Sequence, residues 1–418
     1  MTSRQRLQAS LNHRAPDRVC VDFGSTAITG MHASAASRLR RAVLGDDTYR
    51  VKVIEPFQML GEIDNDLREA LGIDVVGIPC RTTMFGFENT GWKPFDLFDG
   101  TPVLVPEGFK TVSDTNGDLL IFPQGDTSAP PRGRMPRGGY FFDTIIIQEP
   151  IDEDRLNPAD NIDYDVLGEV DLEHYARQAG LLASVPCGRT IGIPGGSLGD
   201  IAFVPGAWLK HPKGIRDVEE WYVSTALRQD YVLAIFEGQC RVAEQNIELL
   251  ARSVGDMADV AVVSGTDFGT QRGPFLSVDS YRRLFKPFHV RLNRLIHEKT
   301  NWKTFIHSCG CVLPLIPEFI EAGFDILNPV QTSAEGMEAS ELKKEFGRHL
   351  VFWGGGVDTQ HTMARGTPQE VYRQVRERID IFNDGGGFVF NAIHNIQGNT
   401  PTENILPMFR AIGDSSKA

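Results

Sequence analysis

The chain has 418 residues, 41% of them hydrophobic and 23% charged, which is enough apolar content for a sizeable core and excludes wholesale disorder. A formal net charge of -13 excludes the basic face that nucleic-acid binding needs, and a polybasic membrane anchor with it. No apolar run approaches the roughly 18 residues of a membrane span, so a soluble, cytoplasmic protein is expected.

The opening MTSRQRLQASLNHRAPDRV is charged and reads as an amphipathic helix, because no apolar run of signal length follows it. Short apolar runs at 18–23 and 74–78 are candidate strands. Residues 81–150 then break the rhythm, with turn signals at Asp99-Gly100, Asn116-Gly117-Asp118 and Pro130-Pro131 between strand-like pieces such as TPVLV and DLLIF. This stretch is expected to be an antiparallel β-hairpin and loop insertion, a flap near one end of the molecule, with 123–139 as a mobile loop.

From about residue 190 the pattern is regular. Apolar runs start at Thr190, Asp259, Lys303, Asp325, Leu350 and Gly386, and they alternate with helical stretches at 218–251, 278–299, 313–322, 340–346, 368–382 and 402–412. Thr367-Pro368-Gln369-Glu370 offers a cap with proline at the first helical position. The runs are apolar throughout, as parallel strands buried on both faces must be. With the two early runs they make about eight strands, and no GxGxxG lies between a strand and a helix. The expectation is an α/β protein, a (β/α)8 TIM barrel forming one domain over 1–418 with the insertion at about 81–150.

A barrel places its chemistry at the C-terminal ends of its strands, so the residues after each run carry the functional reading. After KTFI come His307-Ser308-Cys309-Gly310-Cys311; residues two apart on a strand share a face, so His307 and Cys309 can reach one point. Imidazole with thiolate suits zinc, and His394, at the end of the last strand, supplies a third ligand across the barrel mouth. The bland alternative is a satisfied core pair. Cys311 is the weaker thiol, because Gly310 turns the chain. The four remaining cysteines, Cys20, Cys80, Cys187 and Cys240, read as buried structural thiols.

Asp267 and Gln271 follow VVSGT, where a carboxylate can act as acid or base, support a ligating histidine, or cap the following loop. Gln331 follows LNPV and can orient a substrate oxygen or act as a fourth ligand; His361 reads as a loop or cap residue. At the first strand end, Asp22, Ser25 and Thr26 are expected to line the substrate pocket, with Phe57 and Met84 in an apolar wall or simply in the core.

Several long, ordered stretches resemble the uroporphyrinogen decarboxylase superfamily in its cobalamin-dependent methyltransferase-like branch. They are TSRQRLQASLNHRAPDRV, GTDFGTQRGPFLSVDSYRRLFKPFH, FIHSCGCVLPLIPEFIEAGFDILNPVQ, FWGGGVDTQHTMARGTPQEV and GGGFVFNAIHNIQGNTPTENI. A true uroporphyrinogen decarboxylase carries an arginine-rich RQAGR-type segment after its first strand, where this chain has DFGSTAITG, so that activity is not expected. The HxCG motif resembles the zinc site of the methyltransferases and carries over to His307 and Cys309. Their third ligand is a second cysteine, where this chain has His394; the decarboxylases also carry a histidine there. The resemblance implies a zinc-dependent enzyme moving a methyl group from a small methylated substrate, such as a methyl ether, to a corrinoid (cobalamin) held by a separate protein. It also implies a homodimer. The alternative within the same barrel is a metal-free lyase acting on a small carboxylated substrate.

Overall fold

The computed structural model describes residues 1–415. Eight parallel strands form one sheet: β1 (Cys20–Val21), β2 (Val75–Ile78), β3 (Gly188–Gly192), β4 (Val260–Ser264), β5 (Lys303–His307), β6 (Ile326–Asn328), β7 (Val351–Trp353) and β8 (Phe388–Phe390). Each pairs with its neighbour in sequence from β2 to β8, and β8 returns to pair with β1. The fold is the expected TIM barrel, and all eight expected strands are present. The β1–β2 seam has no strand ladder. Asp74 bridges it, its N–H donating to the Val21 carbonyl at 2.8 Å and its carboxylate accepting from the Val21 N–H at 3.0 Å.

The same device recurs. Asp74, Asp259 and Asp325 stand immediately before β2, β4 and β6, and each carboxylate accepts a backbone N–H from the preceding strand: Val21, Arg189 and Thr304. Buried carboxylates need such partners, and cations complete them. Arg6 and Arg18 bind Asp74, Arg4 and Gln8 bind Asp259, and Lys303 and His297 bind Asp325.

Arg4, Arg6 and Gln8 belong to the expected N-terminal helix, Ser3–Leu11, which starts in a Thr2–Gln5 capping box. The helix lies across the N-terminal mouth of the barrel. Its Leu7 and Leu11 join an inner apolar layer of Cys20, Val75, Val260, Phe305, Ile326, Val351 and Val389. Since side chains alternate along a strand, the residue two further on also faces inward. That rule turns the next layer polar: Asp22, His307, Asn328 and Asn391 follow Cys20, Phe305, Ile326 and Val389, with Trp353 following Val351. The opposite faces, among them Ala261, Ile306, Leu327 and Phe352, pack under the surrounding helices.

Several expectations are corrected. The stretch at 218–251 is two helices, Val218–Leu227 and Gln229–Ser253, because Arg228 leaves helical geometry and its guanidinium binds Glu153 and Glu220. The stretch at 278–299 divides at Phe285, where Pro287 in the first turn of the second helix has no N–H for a continuous ladder. Pro314 makes the start at 313 a 3-10 turn, with the helix itself over Ile316–Glu321. Helices at Ala33–Leu44, Asn65–Leu71 and Glu169–Leu181 were not anticipated.

The β-rich part is not purely antiparallel. Thr111–Ser113, Leu119–Ile121, Gly133–Met135 and Asp143–Thr144 form an antiparallel sheet, so the stretch at 123–139 holds a strand within the expected loop. The second sheet recruits Val51–Glu55 and Leu60–Gly61 from outside the insertion, and Val51–Glu55 pairs in parallel with Pro102–Val105. Among the cysteines, Cys20, Cys187 and Cys240 are buried, but Cys80 is exposed.

Candidate metal centre at the C-terminal mouth

His307 ends β5 facing inward and is only 3% exposed. Its Nδ1 lies 2.5 Å from Asn328 Oδ1 on the adjacent strand, and the Asn328 amide donates to the Trp353 carbonyl at 2.7 Å. The amide's N–H is thereby committed, so its oxygen faces His307 and Nδ1 carries the ring proton. The lone pair of Nε2 is left pointing into the mouth. Cys309 Sγ lies 3.4 Å from that Nε2.

Past Cys309 the chain turns at Gly310, φ 85°, against the loop after β4. A Cβ at Gly310 would sit 2.4 Å from the Gly269 backbone, so only glycine permits this approach, which the Cys311 N–H to Thr270 carbonyl bond (2.7 Å) fixes. Cys311 is buried there and stands outside the cluster. Asp267 Oδ1 accepts the Cys309 N–H at 2.6 Å and lies 3.7 Å from His307 Nε2. Gln331 Oε1 accepts the Gly310 N–H at 2.8 Å.

His394 approaches from the end of β8. Its φ of 68° is an unusual conformation for a residue with a Cβ, and it turns the ring toward His307, centroids 5.4 Å apart. One donor atom from each of His307, Cys309 and His394 lies within 4.8 Å of the others.

The donor set fits a zinc ion. Zn–S and Zn–N bonds of about 2.3 and 2.0 Å at a tetrahedral angle separate sulfur from nitrogen by roughly 3.6 Å, close to the distance between Cys309 and His307. Burial, with Asp267 adding, pushes the Cys309 thiol well above its ordinary range, so its thiolate needs a cation beside it. Burial and then His307 hold His394 down at about 3, keeping it the neutral ring a metal requires. His394 Nδ1 accepts the Asn395 N–H at 2.8 Å, so ligation through Nε2 requires that hydrogen bond to yield.

Beside the cluster lies a cavity of about 360 Å³ lined in part by Thr270, Gln271, Gln331, Thr359 and Gln360, with Cys309 and His394 in its wall. The structure therefore brings His307, Cys309, His394, Asp267, Gln271 and Gln331 to one mouth. The expected substrate residues lie elsewhere. Asp22 is fully buried inside the barrel, bound by the Ser25 hydroxyl at 2.8 Å and by Trp353 Nε1 at 3.0 Å. Burial raises its carboxyl to about 6, against those hydrogen bonds. Thr26 bonds Thr29 within a local turn, Phe57 packs on Phe85, and Met84 packs against the main core. His361 precedes a short helix and bonds Asp358, as a loop residue does.

Sequence reasoning missed Asn328, although counting two residues on from Ile326 finds it. It also missed Asp200, in the loop after β3, a buried acid whose carboxyl burial raises to about 8.

Residues 240–414 match the model of the family described as Uroporphyrinogen decarboxylase (URO-D). Among solved structures, a methyltransferase from Methanosarcina mazei shares the fold at a TM-score of 0.55 and 16% identity, over 99% of both chains. The endo-1,4-beta-xylanase XylE of Penicillium canescens matches at a TM-score of 0.34 and 12% identity, over 60% of this chain and 80% of that one, too low to carry an argument. No curated protein sequence matches the chain significantly. The Methanosarcina likeness, at that identity, is one of fold. The family match runs through β4 to β8 and the final helix, and so spans the strand ends that carry His307, Cys309 and His394.

Proposed function

We propose that this chain is a zinc-dependent methyltransferase that moves the methyl group of a small methylated oxygen compound to a corrinoid carried by a partner protein. The observation that carries the reading is the convergence of His307, Cys309 and His394 within 4.8 Å at the catalytic end of the barrel. A zinc ion held there would supply Lewis acidity toward the oxygen that leaves the methyl group.

The chain's own residues do the rest. Asn328 fixes the His307 tautomer, and Asp267 holds the Cys309 backbone at the mouth, where its carboxyl group could pass a proton to the oxygen that the methyl group leaves. Gln331 uses its carbonyl on Gly310 and keeps its NH2 group for a substrate oxygen; Gln271, at the cavity rim, can add a second amide. Amides, hydroxyls, a thiol and an imidazole line the cavity, which suits an uncharged methyl ether better than the carboxylate of the lyase alternative.

The test is metal content of untagged protein purified without chelators, beside a His307→Ala, Cys309→Ala double variant. About one zinc per chain, lost in the variant, is expected from a single three-ligand site. The native protein should also demethylate methyl ethers when a reduced corrinoid protein is added. A metal-free native protein, or methyl transfer unchanged by chelation, would sink the reading.

A further inference from the structure

A second cleft opens on the same end of the barrel, between the loop after β3 and the segment around Tyr164. Its walls are the rings of Tyr164, Phe203 and Trp208, with Asp200 as its acid. The three ring centroids are 5.6, 6.0 and 6.3 Å apart and the planes are inclined to one another by 49 to 85°. The rings therefore pack tilted and edge-to-face on one another and together form one aromatic wall of the cleft.

Asp200 is 6% exposed, accepts the Ala202 N–H at 2.9 Å, and has no cation beside it among the described residues. The other acid of the cleft, Asp163, is taken by both Nη atoms of Arg216, at 2.5 and 2.8 Å. Arg216 and the fully buried Arg132 both donate to carbonyls of the 204–206 backbone, and neither lines the cleft. Among the described residues, the walls thus leave one buried acid, Asp200, without a counter-ion, beside three aromatic rings. The opening is small, with room for about the equivalent of two waters, so only the end of a ligand enters it while the remainder extends outward.

We propose that the Tyr164, Phe203, Trp208 and Asp200 cleft binds the ammonium end of an alkylammonium ligand. Ring faces and a buried carboxylate recognise a soft, poorly hydrated cation, and they do not select a neutral group of the same shape. Burial keeps the Asp200 carboxyl protonated near neutrality, with Asp267 adding, and a cation seated against it favours the ionised form. Binding at this cleft stands apart from methyl transfer.

The test is calorimetric titration of the full chain with choline and, separately, with its uncharged carbon isostere 3,3-dimethylbutan-1-ol. Choline is expected to bind at least about tenfold more tightly than the isostere, and Asp200→Asn and Trp208→Ala are each expected to weaken it by about tenfold. Thermal unfolding of each variant checks that the barrel is intact. Should Trp208→Ala fail to fold, Phe203→Leu replaces it, since it keeps the bulk and removes a ring. Equal affinity for choline and the isostere, no binding of choline at millimolar concentrations, or undiminished binding in the folded variants would overturn the proposal. Choline binding in a protein that proves to carry no metal would support this cleft and remove the zinc reading alone.

Discussion

The two mouths of the barrel treat buried charge in opposite ways. At the N-terminal mouth, Asp74, Asp259 and Asp325 each take a backbone N–H and at least one cation. Burial pushes Asp325 up, but His297, the Thr304 N–H and Lys303 outweigh it and hold the carboxyl at about 2. At the C-terminal mouth Asp200 has no cation beside it among the described residues, and burial wins: its carboxyl rises to about 8, and the Cys309 thiol rises well above its usual range. A closed ion pair fixes structure. A buried ionisable group left open can bind a cation or carry a proton, and that is how this barrel separates its stable end from its working end.

The largest expected effect breaks the closed end. Asp74→Ala strands two arginines and the Val21 N–H at the one seam without a ladder, and it should cost about 3–5 kcal/mol, read by denaturant unfolding. At the open end, Asn328→Ala releases the His307 ring without touching a ligand. Zinc affinity should fall by about 10- to 100-fold with the fold intact, measured by competition with a chelator. An unchanged affinity would mean that Asn328 does not orient the ligand.

The third prediction is a pH dependence. Because the folded Asp200 carboxyl is raised, its contribution to stability is fully present below about pH 4 and is lost as pH rises from there through about 8. Asp200→Asn removes that loss, so the variant should gain on wild type steadily across the window and by most at pH 9. Parallel unfolding curves for the two proteins at pH 5 and pH 9 would refute it. The smallest effect lies back at the closed end. Thr2→Ala removes the capping box of the plug helix and should cost about 1 kcal/mol, with metal content unchanged.

How much of this was legible in the sequence depends on how local the cause is. The barrel strands could be read because each is a short apolar run whose two faces are both buried, a property of the run itself. His307 and Cys309 could be paired because two residues along a strand return to the same face. The capping boxes at Thr2 and Thr367 close within one turn, and the box at Thr367 was visible as T-P-Q-E. The helix breaks at Arg228 and Phe285 were not foreseen, since the first depends on Glu153, far away in the chain, and the second on a proline that a continuous periodicity overrode. Asp22 shows the limit from the other side: its place after β1 suggested a pocket, but Trp353 and Ser25 hold it inside the barrel.

The sequence by itself determined which segments are barrel strands, which end of each carries polar groups, and that a thiol and an imidazole meet at the end of β5. Only the tertiary structure decided that Asn328 locks the His307 tautomer, that the backbone at His394 turns its ring inward, and that Val51–Glu55 joins the β-rich insertion. It alone brought Tyr164, Phe203, Trp208 and Asp200 around one cleft. Strand identity follows from periodicity within a few residues. These other features are partnerships between loops and strand ends distant in sequence, and closing the barrel is what sets their distances.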